Sequence, residues 1–117
     1  MRTVTLPTTD HGDVTVPEPR WCTGHAVHRV GDRTGINHTG PEHRFAFGDS
    51  VLMIAMLSQY PCAEHASRDT GVYVEQTGYA ATLDPTRLRH LAAALTVHAM
   101  HLRTLAEQLA AIEEAGR

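Results

Sequence analysis

From Pro85 onward apolar side chains return every three or four residues, at Leu88, Leu91, Leu95, Leu102, Leu105, Leu109 and Ile112, with His98 the one polar member. That stepping follows the helical period and predicts a helix over 85–114. Asp84 stands where an N-cap carboxylate accepts the first free amides, and Pro85 fills the first helical position, where a missing N–H costs nothing. Thirty residues of helix span ~45 Å, whereas a domain of this length is nearer ~30 Å across. Part of the helix is therefore expected to outrun its own core. Leu95, His98, Leu102, Leu105, Leu109 and Ile112 are the expected interface with a second copy of the chain, His98 fixing the register as buried polar residues do in other coiled coils.

Upstream the pattern changes to alternation and short apolar runs. Val4-Thr5-Leu6 and Val14-Thr15-Val16 flank the turn-forming Asp10-His11-Gly12-Asp13 and predict a hairpin. The run Val51 to Leu57, preceded by Arg44-Phe45-Ala46-Phe47 and a Gly48-Asp49 turn, predicts a strand buried on both faces. Gly71 to Gln76 and Tyr79 to Leu83, joined by Thr77-Gly78, predict a second hairpin. The fold class expected is α+β: one domain, 1–117, with an antiparallel sheet of about four to five strands, an irregular N-terminal loop region and one long C-terminal helix.

The loop, residues 17–42, is too long to be idle in a chain this small, and it concentrates the unusual chemistry. Cys22-x2-His25-x12-His38-x4-His43 falls within the spacing of structural zinc sites, where a thiolate and imidazoles close a tetrahedron. Gly31 to Gly35 is turn-rich where a zinc finger needs a helix, so the geometry expected is a loop knuckle. His28 offers an alternative to His43. Cys62-Ala63-Glu64-His65 is a second Cys-x2-His pair, so Cys22, His25, Cys62 and His65 form a rival Cys2His2 set.

The stretch Pro19-Arg20-Trp21-Cys22, then His25, His38 and Gly40, followed by strands and a Leu/Ala helix, resembles a group of small actinobacterial proteins carrying a Trp-Cys-x2-His … His-x-Gly signature. The resemblance implies the source and the architecture and carries no activity with it.

Composition narrows the remaining choices. In 117 residues, 42% hydrophobic, the core is near the small end, where a metal or a partner often supplements burial. A formal charge of −3 argues against a general polyanion surface. Arg20, Arg29, Arg33 and Arg44 surround the loop and keep nucleic-acid binding as an alternative that is not favoured. The chain has no signal-peptide pattern at its start and no run of apolar residues long enough for a membrane span, so the expected compartment is the cytoplasm, where cysteines serve as ligands or buried thiols more often than as disulfides. No nucleophile elbow, phosphate loop or dinucleotide fingerprint is present. An open zinc position with Glu42 or Glu64 as general base, a hydrolase-type site, is the enzyme alternative. The expectation is a zinc-stabilised homodimeric interaction module, regulatory through an unidentified protein partner.

Overall fold

The computed structural model describes residues 2–116, which form an α+β arrangement of antiparallel strands and one long C-terminal helix. The chain falls into two compact units, residues 1–41 with 57–71 and residues 42–56 with 72–117.

In the first unit β1 (Thr3–Thr8) and β2 (Gly12–Pro17) form the predicted hairpin, paired from Thr3↔Pro17 to Thr8↔Gly12. Gly12 takes φ 61°, a left-handed conformation that glycine reaches without a Cβ penalty. The strands run further than the apolar triplets indicated, and Pro7 lies inside β1 opposite Asp13. A two-stranded sheet has a free edge on each strand, so the N–H that Pro7 lacks need not break the ladder. Alternation sends Leu6 and Val16 inward, where they pack with Ile36 and Cys62, while Val4 and Val14 cover the rim. Residues 18–37 are tied back by amides that find carbonyls and carboxylates: Thr9 donates to Gly31 O, Glu18 to Arg2 O and Arg33 to Asp10 Oδ1, each within 2.9 Å. A short 3-10 turn, Arg33–Gly35, leads into β3 (His38–Thr39), which pairs with Gln59 and Ser58.

In the second unit β4 (His43–Phe47) turns through Gly48, at φ 59°, into β5 (Ser50–Gln59), with a register shift between Phe45 and Ala46. The end of β5, from Leu57, belongs to the first unit. β6 (Gly71–Gln76) also pairs with β5. The hairpin expected between β6 and 79–83 is corrected, because Tyr79 to Leu83 form no strand. Thr77 donates its amide to Leu52 O and its hydroxyl to the Val51 and Leu52 carbonyls, which anchors this corner to β5. Ala80 and Ala81 then offer little side-chain area for a cross-strand pair.

Helix α1 (Pro85–Ala115) starts as predicted: the Asp84 carboxylate accepts from the Arg87 amide at 2.8 Å and Pro85 follows it. Its contact with the sheet lies at His98, Leu102 and Leu105. Leu105, 3% exposed, is buried with Phe45 and Ala55, while His98 stacks on the Phe45 ring at 4.8 Å and meets the Ala46 carbonyl at 3.1 Å. This corrects the expected interface at His98 and Leu105, which are engaged by the chain's own sheet; Leu102 also packs on that cluster but stays half-buried. The exposed leucines are instead Leu88 and Leu95, toward the start of the helix. Among the described residues no helix is long and apolar enough to cross a membrane.

Candidate metal centre

The end of β2 sets the site in motion. Past Pro17 the chain leaves the hairpin with the Glu18 amide bonded to Arg2 O, which holds the Glu18 side chain beside the loop that follows. Cys22 closes a turn onto the Pro19 carbonyl at 3.1 Å, and Thr23 is pinned to Thr39 O by its amide at 2.9 Å and its hydroxyl at 3.2 Å. Those bonds bring the Cys22–His25 segment against β3, where His38 projects into the interior. Gly24, at φ 97°, gives the reversal that brings His25 back over Cys22 and turns its own amide toward the Cys22 Sγ at 3.4 Å. Gly40 lets β3 lie close to β5: its amide meets Leu57 O at 2.9 Å, and a Cβ there would stand 3.3 Å from that of Leu57.

The result is a cluster of four ligating side chains, Glu18, Cys22, His25 and His38, whose donor atoms all lie within 4.8 Å of one another. His38 is fully buried, at 0% exposure, and both of its ring nitrogens lack a hydrogen-bond partner. A buried polar atom without a partner costs roughly 1–3 kcal/mol, so a side chain with two of them calls for a physical reason. His25 Nε2 lies 2.9 Å from Glu18 Oε1 and 3.6 Å from Cys22 Sγ. The carboxylate contact has ion-pair distance without hydrogen-bond alignment, since Glu18 Oε1 has no hydrogen-bond partner. Carboxylate, thiol and imidazole lone pairs thus converge on one point, the arrangement that a cation rather than a proton satisfies. Tetrahedral bonds of ~2.0–2.3 Å put neighbouring donor atoms ~3.3–3.8 Å apart, which lies between the 2.9 Å His25–Glu18 contact and the 4.8 Å limit of the cluster.

The electrostatics of the four groups fit together. Burial pushes the Cys22 thiol above its ordinary value and the Glu18 carboxylate adds to the rise, while amides at Gly24 and Thr39 oppose it. Burial also pushes the Glu18 carboxylate up, yet the hydrogen bond from the Cys22 thiol and the charges of His25, Arg2 and His38 carry it below its ordinary value. Burial, and then the proximity of His25, hold His38 below the usual imidazole range, outweighing Glu18 and the Pro17 carbonyl. His38 is thereby kept neutral, the form in which imidazole ligates. Trp21 stands edge-on to the His38 ring at 6.3 Å and shields one side of the cluster.

Of the residues expected from spacing, the fold brings together Cys22, His25 and His38. His43 is not with them: it opens β4 opposite Ala55, because the residues after His38 are used to turn the chain through Gly40-Pro41 into the second unit. His28 lies against the Pro7 carbonyl at 3.3 Å and touches His25 only ring to ring. The rival set also fails to form. Cys62 is a buried core residue beside Leu6, Val16 and Ile36, and His65 sits on an exposed loop. The fourth member is Glu18, which a search for cysteine and histidine spacing passes over. Its one sequence signal is position, four residues before Cys22 at the end of a predicted strand. Glu42 and Glu64, the alternative general bases, are outside the cluster and paired with Arg44 at 2.8 Å and Arg33 at 3.5 Å.

No curated protein and no solved structure matches the chain. A family model does, over residues 3–111, and so spans nearly the whole chain together with all four members of the cluster; the protein belongs to the family described as Domain of unknown function (DUF6907).

Proposed function

We propose that this protein is a small zinc-stabilised homodimeric interaction module, cytoplasmic and regulatory, working by binding a protein partner rather than by catalysis. One observation carries the metal part of the reading: the convergence of the Glu18, Cys22, His25 and His38 donor atoms within 4.8 Å, around a fully buried histidine with no hydrogen-bond partner. A mixed thiolate, imidazole and carboxylate set suits zinc, which accepts sulfur, nitrogen and oxygen donors in a tetrahedron. Four protein ligands close that tetrahedron and leave no position for a substrate, which favours a structural ion over a hydrolytic one. Glu42 and Glu64 are held by arginines, so neither is poised to activate a zinc-bound water.

The nucleic-acid alternative loses ground for a related reason. Arg33 and Arg44, half of the basic set around the loop, are paired with Glu64 and Glu42, which reduces the positive charge offered to a phosphate backbone. Dimerisation is supported by the apolar side chains that α1 leaves in solvent, Leu88 and Leu95 among them. The test is native mass spectrometry of protein purified without a metal-affinity step. The expected mass is two chains with one zinc ion each; a metal-free chain that does not take up added zinc overturns the metal part, and a monomer at ~100 μM chain, well above the micromolar range of weak complexes, overturns the assembly.

A further inference from the structure

Along α1 two apolar stripes run side by side. One, His98 and Leu105 with Leu91 and Ile112, belongs to the side that packs on Phe45 and Ala55. The other is a strict seven-residue repeat: Leu88, Leu95, Leu102 and Leu109, with Ala92, Ala99 and Ala106 set between them by steps of four and three. At 100° per residue this second stripe lies roughly 80° round the helix from the first. Leu88 is 56% exposed and Leu95 50% exposed, Ala92 and Ala106 are exposed, and Leu102 and Leu109 are half-buried where the stripe approaches the sheet. A leucine seam of this period is what two helices bury between them, large knobs seating in holes of the facing helix.

Charge along the same helix says what the facing helix is. Arg87, Arg89 and Arg103 lie in its first two thirds with no acidic residue among them, and Glu107, Glu113 and Glu114 lie beyond with no basic one. The helix carries no acidic residue in its first turn and no basic residue in its last. The glutamates at the C-terminal end oppose the helix dipole, whose negative pole lies there, while at the N-terminus the Asp84 carboxylate complements the positive pole. An antiparallel neighbour with the same sequence relieves the conflict at the C-terminal end, since it sets the basic half of one helix against the acidic end of the other and opposes the two dipoles.

We propose that α1 pairs antiparallel with α1 of a second copy through this Leu/Ala stripe. The reading rests on the homodimer proposed above and fixes its face and direction. In an antiparallel pair each leucine position faces the alternate position of the other helix. Leu95 then meets the partner's Ala106, Leu102 the partner's Ala99 and Leu109 the partner's Ala92, so each of these layers joins one large side chain to one small one, while Leu88 meets the partner's Glu113 at the end of the pair. Arg89 falls beside the partner's Glu113. Parallel pairing in register would instead stack leucine on leucine and arginine on arginine. A strip of helix ~46 Å long and ~10 Å wide buries on the order of 1,000 Å² between two copies, the low end of specific interfaces, so the dimer is expected to dissociate in the micromolar range.

The test uses the full chain with one exposed cysteine added to the buried Cys22 and Cys62, Leu95→Cys or Ala106→Cys, oxidised alone and mixed beside the unsubstituted chain, with zinc content and light-scattering mass read on each sample. The expected result is a disulfide dimer only in the mixture, with zinc retained. Cross-linking of each variant with itself overturns the antiparallel direction while leaving the dimer; a monomer at high concentration overturns both; zinc content reports on the metal reading separately. As a second measurement, Arg89→Glu should weaken the dimer about fivefold, and Arg89→Glu with Glu113→Arg should restore it. A dimer indifferent to both variants places the interface elsewhere.

Discussion

Replacing Cys22 by serine removes the proposed thiolate and almost nothing else. The side chain keeps its shape, the turn onto Pro19 O and the Thr23–Thr39 bonds are made by neighbouring backbone, and the site is buried enough that solvent does not refill it. The effect expected is therefore the loss of one ligand from four. Zinc binding by small structural sites is worth roughly 10–16 kcal/mol in all, so one ligand is worth about 2.5–4 kcal/mol. At 1.4 kcal/mol per decade that is an affinity lower by about 10² to 10³. Binding energy at such a site is folding energy. In a chain of 117 residues each kcal/mol moves the midpoint by about 4 °C, so Cys22→Ser with zinc present should melt about 10–16 °C below the wild type. Calorimetry with and without chelator is the assay, alongside zinc quantified per chain. After chelation the two proteins should melt within ~2 °C of each other, because the serine hydroxyl keeps the Gly24 amide and the Glu18 carboxylate as polar partners. A chelated wild type that melts no lower than before, or a Cys22→Ser protein that retains full zinc, would refute the site.

Cys62→Ser should leave zinc content unchanged yet lower stability by about 1–2 kcal/mol, since it puts a hydroxyl among Leu6, Val16 and Ile36; equilibrium denaturation with metal analysis checks both halves. Leu105→Ala should cost about 2–5 kcal/mol through the cavity left between Phe45 and Ala55, and should do so equally in dilute and concentrated samples, which separates a core role from an interface role. For metal-free protein the melting midpoint should peak between the ordinary histidine value of 6.5 and the ordinary thiol value of 9.0. His38 is held neutral in the fold, so stability falls as pH drops below its unfolded value. The Glu18 value is lowered, so a further loss appears as pH falls through its folded value, below 4.5. Cys22 is held as a thiol, so stability falls again as pH rises above 9.0. A profile flat from pH 5 to 10 would contradict the His38 and Cys22 effects, and one with no further loss below 4.5 would contradict the Glu18 effect.

The parts of the fold written in local pattern were legible in the sequence. The Asp84-Pro85 start of α1, the first hairpin and the strand after Gly48 each follow from residues adjacent in the chain, although that strand buries Ala55 and Leu57 on one face and leaves Leu52, Ile54 and Met56 half-buried rather than being buried on both faces as expected. What could not be read is what depends on register between distant segments. Which stripe of α1 meets the sheet is decided by where Phe45 and Ala55 present their surface, and the periodicity alone does not separate the Leu105 side from the Leu95 side. The same limit governs the cluster. Cys22, His25 and His38 are close in sequence and show their spacing, but Glu18 enters because the pairing of β1 with β2 and the bond from its amide to Arg2 O fix where the strand ends.

Glu18 also explains how such a site is buried at all. A zinc ion bound by one thiolate and three neutral ligands, whether three imidazoles or two imidazoles and another neutral donor, would keep a net positive charge of one in either case. With Cys22 and Glu18 both ionised and His25 and His38 neutral, the two negative ligands balance the dication, and the whole cluster carries no net charge. Burying a net charge costs several kcal/mol even after relaxation, whereas a neutral ion–ligand set is spared most of it. Without the ion the same residues are left in conflict, with the Cys22 thiol pushed up, the Glu18 carboxylate pulled down and His38 unpartnered in the interior. The carboxylate that spacing rules overlook is on this reading the residue that makes the centre electrically closed, which is why Glu18→Gln should weaken zinc binding even though glutamine keeps an oxygen donor in the same place.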